Sequence, residues 1–272
     1  MNDLAAGAQH LVSRLMRESL IDKALIKGTE SPVRAILPCL NVIQIGGLSI
    51  MDRGHTALMP LLDEIVANQS DHTQVIGVGP GVRARHILSV GLDLGLPTGA
   101  LATLAAKSSA QNAYMVSCLL ANRGFVYLEA PFVVQLLPAM LAAARGAVFN
   151  GIPPYDLWEH PPALGKIPPH GSDAGSYLVG EVFGARSVIL LKDVDGVYTA
   201  DPKTHPRAEF IAEIGAADLL HMEFEALPIE PVVLDLLTRA KLVKSVRIVN
   251  GLVPGNLTRA LKGEAVGTLI HA

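Results

Sequence analysis

The residues with the clearest chemical potential are a lysine and two carboxylates that directly follow a short apolar run. Residues 187–191 (SVILL) are followed by Lys192, Asp193, Asp195 and Gly196. A β-branched and leucine-rich run closed by charges is typical of a buried strand, and α/β proteins bind ligands at the carboxyl edge of such strands. The spacing therefore predicts one cation and two anions at a ligand-binding edge. The alternative is an ordinary solvent-exposed exit from a strand.

The residues immediately downstream predict two turns beside this edge. Gly196 permits a backbone turn, and the pair Asp201-Pro202 marks a second one. Tyr198 lies between them. We therefore expect Tyr198 and Asp201 on a short, rigid excursion next to the site.

Two glycine-rich turns elsewhere in the chain favour binding of an anion such as phosphate. Gly46 and Gly47 follow an apolar strand, and Gly79 and Gly81 follow a second strand and precede a helix that carries Arg83 and, two positions on, Arg85. Backbone amides without a neighbouring Cβ, and the N-terminus of a helix, both attract phosphate. Neither turn has the Walker or dinucleotide spacing, so turns that merely connect strand to helix remain the alternative.

Asp173 is a further carboxylate at a predicted helix start. Ser172 and Asp173 precede an apolar helical pattern, so that capping alone would explain Asp173. The functional interpretation is a carboxylate that orients a phosphate-bound Mg²⁺ or a neighbouring lysine, with Asp193 or Asp195 in a similar role.

Other polar residues give weaker signals. Glu129 ends a predicted strand, Gln135 lies in the next helix, His160 lies in a proline-rich segment, residues 153–169, and His170 directly follows that segment. They could face a cavity, but packing or solvent exposure explains them as well. The histidines show no metal-ligand spacing, which argues against a zinc site.

The elements that must position these residues alternate along the chain. Strands are predicted at residues 41–45, 74–78, 125–128, 147–150, 187–191, 246–250 and 268–271, and helices at 57–67, 82–92, 109–121, 133–145, 172–183, 233–242 and 257–261. Parallel neighbours need crossover connections, so this order predicts an α/β fold: a three-layer sandwich with a mainly parallel central sheet between two helical layers.

Composition limits the classes of function. The chain has 272 residues, of which 50% are hydrophobic and 17% charged, so we expect other subunits to cover part of the surface. A net charge of −3 without a basic run argues against nucleic acid, and no apolar stretch is long enough for a membrane helix or resembles a signal peptide. Cys39 and Cys118 lie far apart in apolar settings, which predicts packed, reduced thiols in a cytoplasmic protein.

The first residues differ from the rest of the chain. Residues 1–36 are amphipathic and of mixed charge, without the strand pattern that follows. We therefore predict an N-terminal extension over residues 1–36 that contacts another subunit, and an α/β domain over residues 37–272.

These motifs resemble the amino-acid-kinase superfamily, which includes uridylate, acetylglutamate and aspartate kinases. The matching pieces are Gly46-Gly47, the second glycine turn, Asp173 and residues 192–202 (KDVDGVYTADP). Residues 51–54, 81–86, 91–97, 152–155, 167–170 and 249–261 are similar to the molybdenum-storage branch of that superfamily. The resemblance implies a hexameric cage of related subunits that binds Mg-ATP and deposits molybdate or tungstate inside as oxide clusters.

The resemblance also implies roles for single residues. Gly46, Gly47, Gly79, Gly81 and Arg83 would hold phosphates while Lys192 offsets their charge; Asp173, Asp193 and Asp195 would organise Mg²⁺ or the lysine, and Gly196, Tyr198 and Asp201 would border the adenosine. Lys192 and Asp173 are the catalytic candidates. Glu129, Gln135, His160 and His170 are the candidates for contact with the oxide cluster.

Two departures from the pattern bear on activity. Gln44 stands where the superfamily usually has a lysine, and a glutamine brings no charge to a transferring phosphoryl group. Asp156-Leu157-Trp158 stands where one type of storage subunit has a run of histidines. The hypotheses are therefore a storage subunit in a homo- or hetero-hexamer, a kinase of a nucleoside monophosphate or acyl group, and a catalytically silent partner subunit that binds nucleotide.

Overall fold

The computed structural model describes residues 33–153, 166–201, 204–205, 207–222 and 227–272. Residues 35–272 form one compact unit. The predicted extension at residues 1–36 lies almost wholly outside the described residues, so that its role remains a prediction. None of the described helices combines the length and apolarity needed to cross a membrane.

An eight-stranded sheet forms the centre of this unit. Its strands follow one another in the order β3-β4-β2-β1-β5-β9-β10-β8, and all neighbours are parallel except β9 and β10. A short antiparallel pair, β6 and β7, stands apart from it. The strands are β1 Leu40–Ile45, β2 Thr73–Val78, β3 Phe125–Tyr127, β4 Gly146–Phe149, β5 Ser187–Lys192, β6 Val197–Tyr198, β7 Phe210–Ile211, β8 Glu213–Gly215, β9 Ser245–Asn250 and β10 Thr268–His271.

Helices cover both faces of the sheet. One hydrophobic core lies under α4, α5, α6 and α7, and a second lies under α1, α3 and α8. The helices are α1 His55–Ala67, α2 Val82–Asp93, α3 Thr98–Leu120, α4 Ala130–Ala143, α5 Ser172–Phe183, α6 Ala216–His221, α7 Pro231–Thr238 and α8 Asn256–Leu261. The predicted three-layer α/β fold with a mainly parallel sheet is therefore confirmed.

Strand β1 shows why a mostly apolar run forms a central strand. Leu40 and Val42 belong to the first core, whereas Ile43 and Ile45 belong to the second, because successive side chains point to opposite faces. A strand buried on both faces needs apolar residues at most positions. Asn41 and Gln44 are the two buried polar exceptions, and Gln44 lies on the face that packs against α5.

Two expectations need correction. Cys39 and Cys118 are free thiols, but both are exposed rather than packed, because Cys39 precedes β1 and Cys118 lies on the outer side of α3. Helix α3 begins at Thr98 and not near residue 109. Its first turns contain Gly99 and a threonine, both poor helix formers, and tertiary packing overrides that preference.

Candidate functional site

A cavity of about 690 Å³ opens at the carboxyl edge of the sheet. Its volume falls in the range of small-molecule sites, and its position is the one where α/β proteins bind ligands. Loops after β1, β2 and β5, the N-terminus of α5 and the segment before α7 form its walls. The lining includes Gly46, Gly47, Ser49, Gly81, Arg85, Ser172, Asp173, Lys192, Asp193, Gly196, Tyr198, Asp201 and residues 227–231.

The two predicted glycine turns meet at this cavity. The amide of Gly46 donates to the carbonyl of Leu191 at 3.0 Å, which places the first turn against the end of β5. A Cβ on Gly47 would lie only 2.2 Å from the amide nitrogen of Gly81. Only glycine at position 47 permits this approach, and both glycines line the cavity. Gly79 packs closely against the backbone of Gly47 and does not line the cavity.

The N-terminus of α2 is already occupied by a carboxylate of the same chain. Asp52 accepts a hydrogen bond from the amide of Val82 at 2.6 Å, and a Cβ on Gly81 would lie 2.5 Å from the same carboxylate. Gly81 also has a φ of 72°, a conformation that favours glycine. Arg85 lines the cavity, whereas Arg83 points to the other side of α2 and donates to Asn112.

The centre of the cavity wall is an ion pair between Lys192 and Asp173. The Lys192 ammonium lies 2.8 Å and 2.7 Å from the two carboxylate oxygens of Asp173. Asp173 is 2% exposed and the side chain of Lys192 is 17% exposed. The end of β5 and the first turn of α5 thus bring together the two residues that the sequence predicts as partners.

A second carboxylate, Glu230, joins this pair from the segment before α7. It accepts hydrogen bonds from the amides of Gly171, Asp173 and Ala174 at 2.9–3.1 Å. Its own amide donates to Asp173 at 3.4 Å. Burial and the neighbouring Asp173 raise the pKa of Glu230 to about 7, although the amides and Lys192 favour its charged form.

The remaining acidic candidates, Asp193 and Asp195, differ in whether they border the cavity. Asp193 lines the cavity and forms an ion pair with Arg53 at 2.5 Å. Asp195 does not line it: one oxygen accepts from the Asn250 amide at 2.8 Å and the other from the Tyr198 hydroxyl at 3.5 Å. Mg²⁺ typically takes one or two carboxylates together with phosphate oxygens. Asp193 fits such a donor set, and Asp195 is placed to hold Asn250 and Tyr198.

Gln44 is fully buried and lies outside the cavity. Its side-chain oxygen accepts a hydrogen bond from the Ser176 hydroxyl, and its amide group donates to the carbonyl of Ile45 at 3.0 Å. A Cβ on Gly151 would lie 2.7 Å from this side-chain oxygen, so the site is closely packed. The position that the superfamily fills with a cation is here a neutral, satisfied group.

Another part of the cavity lining carries aromatic and apolar side chains. Tyr198 packs edge-on against Phe210 with ring centroids 5.5 Å apart, and burial together with Asp195 raises its pKa. A Cβ on Gly196 would lie 2.2 Å from the Thr268 hydroxyl oxygen, so this tight turn requires glycine. Asp201, Leu227, Pro228 and Ile229 also line the cavity.

The candidates for contact with an oxide cluster are not brought together within the described chain. Glu129 immediately precedes α4 and is exposed, Gln135 is exposed on α4, and His170 is partly buried before α5. His160 lies outside the described residues. Over the residues that the structure describes, no group of three or more His, Cys, Asp or Glu side chains could hold a metal ion.

Comparison with known proteins places the chain in a family. The sequence model of the amino acid kinase family matches residues 40–250. The chain is 45% identical to molybdenum storage protein subunit beta of Azotobacter vinelandii (strain DJ / ATCC BAA-1303), over 99% of this chain and 100% of that protein. It is 30% identical to uridylate kinase of Thermofilum pendens (strain DSM 2475 / Hrk 5), over 86% of this chain and 98% of that one.

A solved structure agrees with these relationships. The crystal structure of uridylate kinase from Archaeoglobus fulgidus superposes with a TM-score of 0.66 at 22% identity, over 85% of this chain and 99% of that chain. This likeness concerns the fold alone. Together with the sequence matches, it shows that the chain belongs to the amino acid kinase family, in which it is similar to a molybdenum storage protein subunit and to uridylate kinases.

Proposed function

We propose that this protein is a storage subunit that binds Mg-ATP and holds molybdate or tungstate as oxide clusters inside an oligomer. The observation that carries the proposal is the 45% identity to a molybdenum storage protein subunit, over 99% of this chain and 100% of that protein. Its cavity supports the nucleotide part. The Gly46-Gly47 turn offers the amide of Gly47, Lys192 offers a cation, and Asp193 fits a phosphate-bound Mg²⁺.

The cavity lining combines polar and apolar residues, as a nucleotide requires. Gly46, Gly47 and Lys192 are the lining residues where the phosphates would bind. Tyr198 and residues 227–229 supply the less polar surface for the adenosine, and Asp201 borders it. Nucleotides commonly bind with the phosphates on amides near a glycine turn and the base on apolar side chains.

Binding is a better supported role for this cavity than phosphoryl transfer. Gln44 places no charge near the phosphates, and Lys192 is already paired with Asp173 beside Glu230. Transfer requires cations that stabilise charge on the moving phosphoryl group. ATP in this chain would therefore stabilise the assembly or support deposition, with hydrolysis slow or absent.

The oxide cluster would be held between subunits. Helix α4 exposes Phe132, Val134 and Leu136, and the exposed Gln135 lies among them. Exposed apolar patches mark subunit contacts. With Glu129 before the same helix, this surface fits an oligomer with further copies or a sister subunit, in which polar groups from several chains converge. We place the assembly in the cytoplasm.

The storage proposal is tested by metal analysis. The purified protein is incubated with molybdate, with and without Mg-ATP, passed through a desalting column and analysed for molybdenum per chain. Storage predicts many molybdenum atoms per chain and dependence on the nucleotide. A ratio of only one or two per chain, unchanged by Mg-ATP, would refute it.

The uridylate kinase relatives keep the kinase hypothesis open to test. ADP formation that depends on a nucleoside monophosphate or an acyl acceptor would establish it in place of storage. A silent nucleotide-binding partner subunit is distinguished by Gln44→Lys, which should raise ATP hydrolysis. An unchanged rate in a folded Gln44→Lys protein would count against that hypothesis.

A further inference from the structure

Glu230 lies where a ligand anion would otherwise bind. Helix α5 has twelve residues and begins after Gly171, with no side-chain cap of its own. Its first free amides, those of Gly171, Asp173 and Ala174, all donate to the carboxylate of Glu230. Such amides and the helix dipole attract any anion, including phosphate. A carboxylate from 57 residues away along the chain therefore occupies this anion position.

The same carboxylate fixes the geometry of the Lys192–Asp173 pair. Glu230 holds the backbone of Asp173 through one hydrogen bond, and its own amide approaches the Asp173 side chain at 3.4 Å. Lys192 then contacts both oxygens of Asp173. The wall formed by residues 227–230 is thereby connected to the only cation that β5 brings to the cavity within the described part of the chain.

The charges at this point disfavour a further anion. The Lys192 ammonium contacts Asp173 directly, and the charges of both residues act on the Glu230 carboxylate. A free oxyanion at the N-terminus of α5 would have to displace Glu230 and approach Asp173. Like charges at this range in a partly buried site repel strongly.

We propose that Glu230 is a positioning residue that holds Asp173 on Lys192 and excludes free oxyanions from the N-terminus of α5. The phosphates of a nucleotide are then directed to the Gly46-Gly47 turn. That consequence rests on the proposed function, whereas the exclusion of a free oxyanion does not.

The chain contains a matched control in Glu181. This carboxylate also accepts backbone hydrogen bonds, from the amides of Lys241, Leu242 and Val243 at 2.7–3.2 Å. It lies outside the cavity. Removal of either carboxylate frees backbone amides, but only Glu230 borders the ligand space.

The experiment measures binding of inorganic phosphate by calorimetry and by thermal shift. Glu230→Ala opens the anion position, and Glu230→Gln removes the charge with little change in size, so that Glu230→Gln still tests the proposal if the alanine variant fails to fold. We expect phosphate to bind at least tenfold more tightly to both variants than to the parent or to Glu181→Gln. The proposal is overturned if the parent binds phosphate as tightly as the Glu230 variants do. It is also overturned if Glu181→Gln gains as much phosphate affinity as they do.

A second measurement tests the positioning role directly. The rate at which an acylating reagent modifies Lys192, followed by mass spectrometry, should rise several-fold in Glu230→Gln and stay unchanged in Glu181→Gln. No rise at Lys192 would refute the positioning role. A gain of phosphate binding in a protein that does not bind Mg-ATP would leave this proposal standing and refute the proposed function. Mg-ATP binding without a gain of phosphate binding would refute this proposal and leave the proposed function standing.

Discussion

Replacement of Lys192 by methionine should destabilise the protein strongly. Methionine keeps most of the apolar length of the side chain but leaves Asp173, which is 2% exposed, without its cation and beside Glu230. Removal of one partner of a buried ion pair costs roughly 3–5 kcal/mol, because an uncompensated charge stays buried. Solvent reaches the Lys192 side chain, which is 17% exposed, so we expect a loss of about 3 kcal/mol in the free energy of unfolding.

Urea unfolding followed by circular dichroism measures this loss, at one fixed protein concentration because an oligomer unfolds in a concentration-dependent way. Arg239→Met is the control. Arg239 pairs with Asp235 at 3.0 Å on α7, but its side chain is 76% exposed. Exposed pairs of this spacing contribute only about 0.3–0.5 kcal/mol.

A double variant separates the charge effect from packing. Addition of Asp173→Asn to Lys192→Met removes the stranded carboxylate, and the double variant should be more stable than Lys192→Met by at least about 1 kcal/mol. The reasoning is refuted if Lys192→Met costs no more than Arg239→Met. It is also refuted if the second substitution restores nothing.

Further predictions concern pH, packing and the turn at the cavity. The raised pKa of Glu230, about 7 against an ordinary value of 4.5, means that the folded chain binds this proton more tightly than the unfolded chain. Stability should therefore fall as pH rises from about 4.5 to about 7, by up to about 3 kcal/mol, and urea titrations should show a flatter profile for Glu230→Gln. Burial opposes the charged form of Glu181, but backbone amides lower its pKa overall, so its contribution to stability is present above about pH 4.5 and is lost as pH falls below that value. Glu181→Gln should abolish this pH dependence in the same titrations. Gly47→Ala would place a Cβ 2.2 Å from the amide nitrogen of Gly81 and should weaken Mg-ATP binding at least tenfold in calorimetry. Gly263→Ala is the control: the added Cβ would meet open space, so this variant should suffer only backbone strain and bind Mg-ATP normally.

The regular part of the fold is predictable because its signals are local. Strand β5 carries an unbroken apolar run and β1 a mostly apolar one, and the turns after them carry glycine or charge. Lys192 and Asp173 could be expected near each other because strand ends and helix starts meet at one edge of the sheet. The short strands β6, β7 and β8 were beyond such reasoning, since two or three residues hold no periodic pattern.

The parts of the site that sequence reasoning missed depend on long-range contacts. Glu230 lies in a segment without a motif, and nothing near it in sequence indicates that it reaches the N-terminus of α5. Asp52 reaches the N-terminus of α2 from 30 residues away in the same manner. Arg53 binds Asp193 across 140 residues. A local signal existed only for which of Arg83 and Arg85 can line the cavity, because residues two apart on a helix face different directions.

A crystal structure of the protein with Mg²⁺ and a non-hydrolysable ATP analogue tests the central claim most directly. The predicted result places the phosphates within hydrogen-bond distance of the Gly47 amide and Lys192, with the adenosine beside Tyr198 and Glu230 still bound to the first amides of α5. Phosphates on the N-terminus of α5 with Glu230 displaced, or a nucleotide outside this cavity, would contradict it.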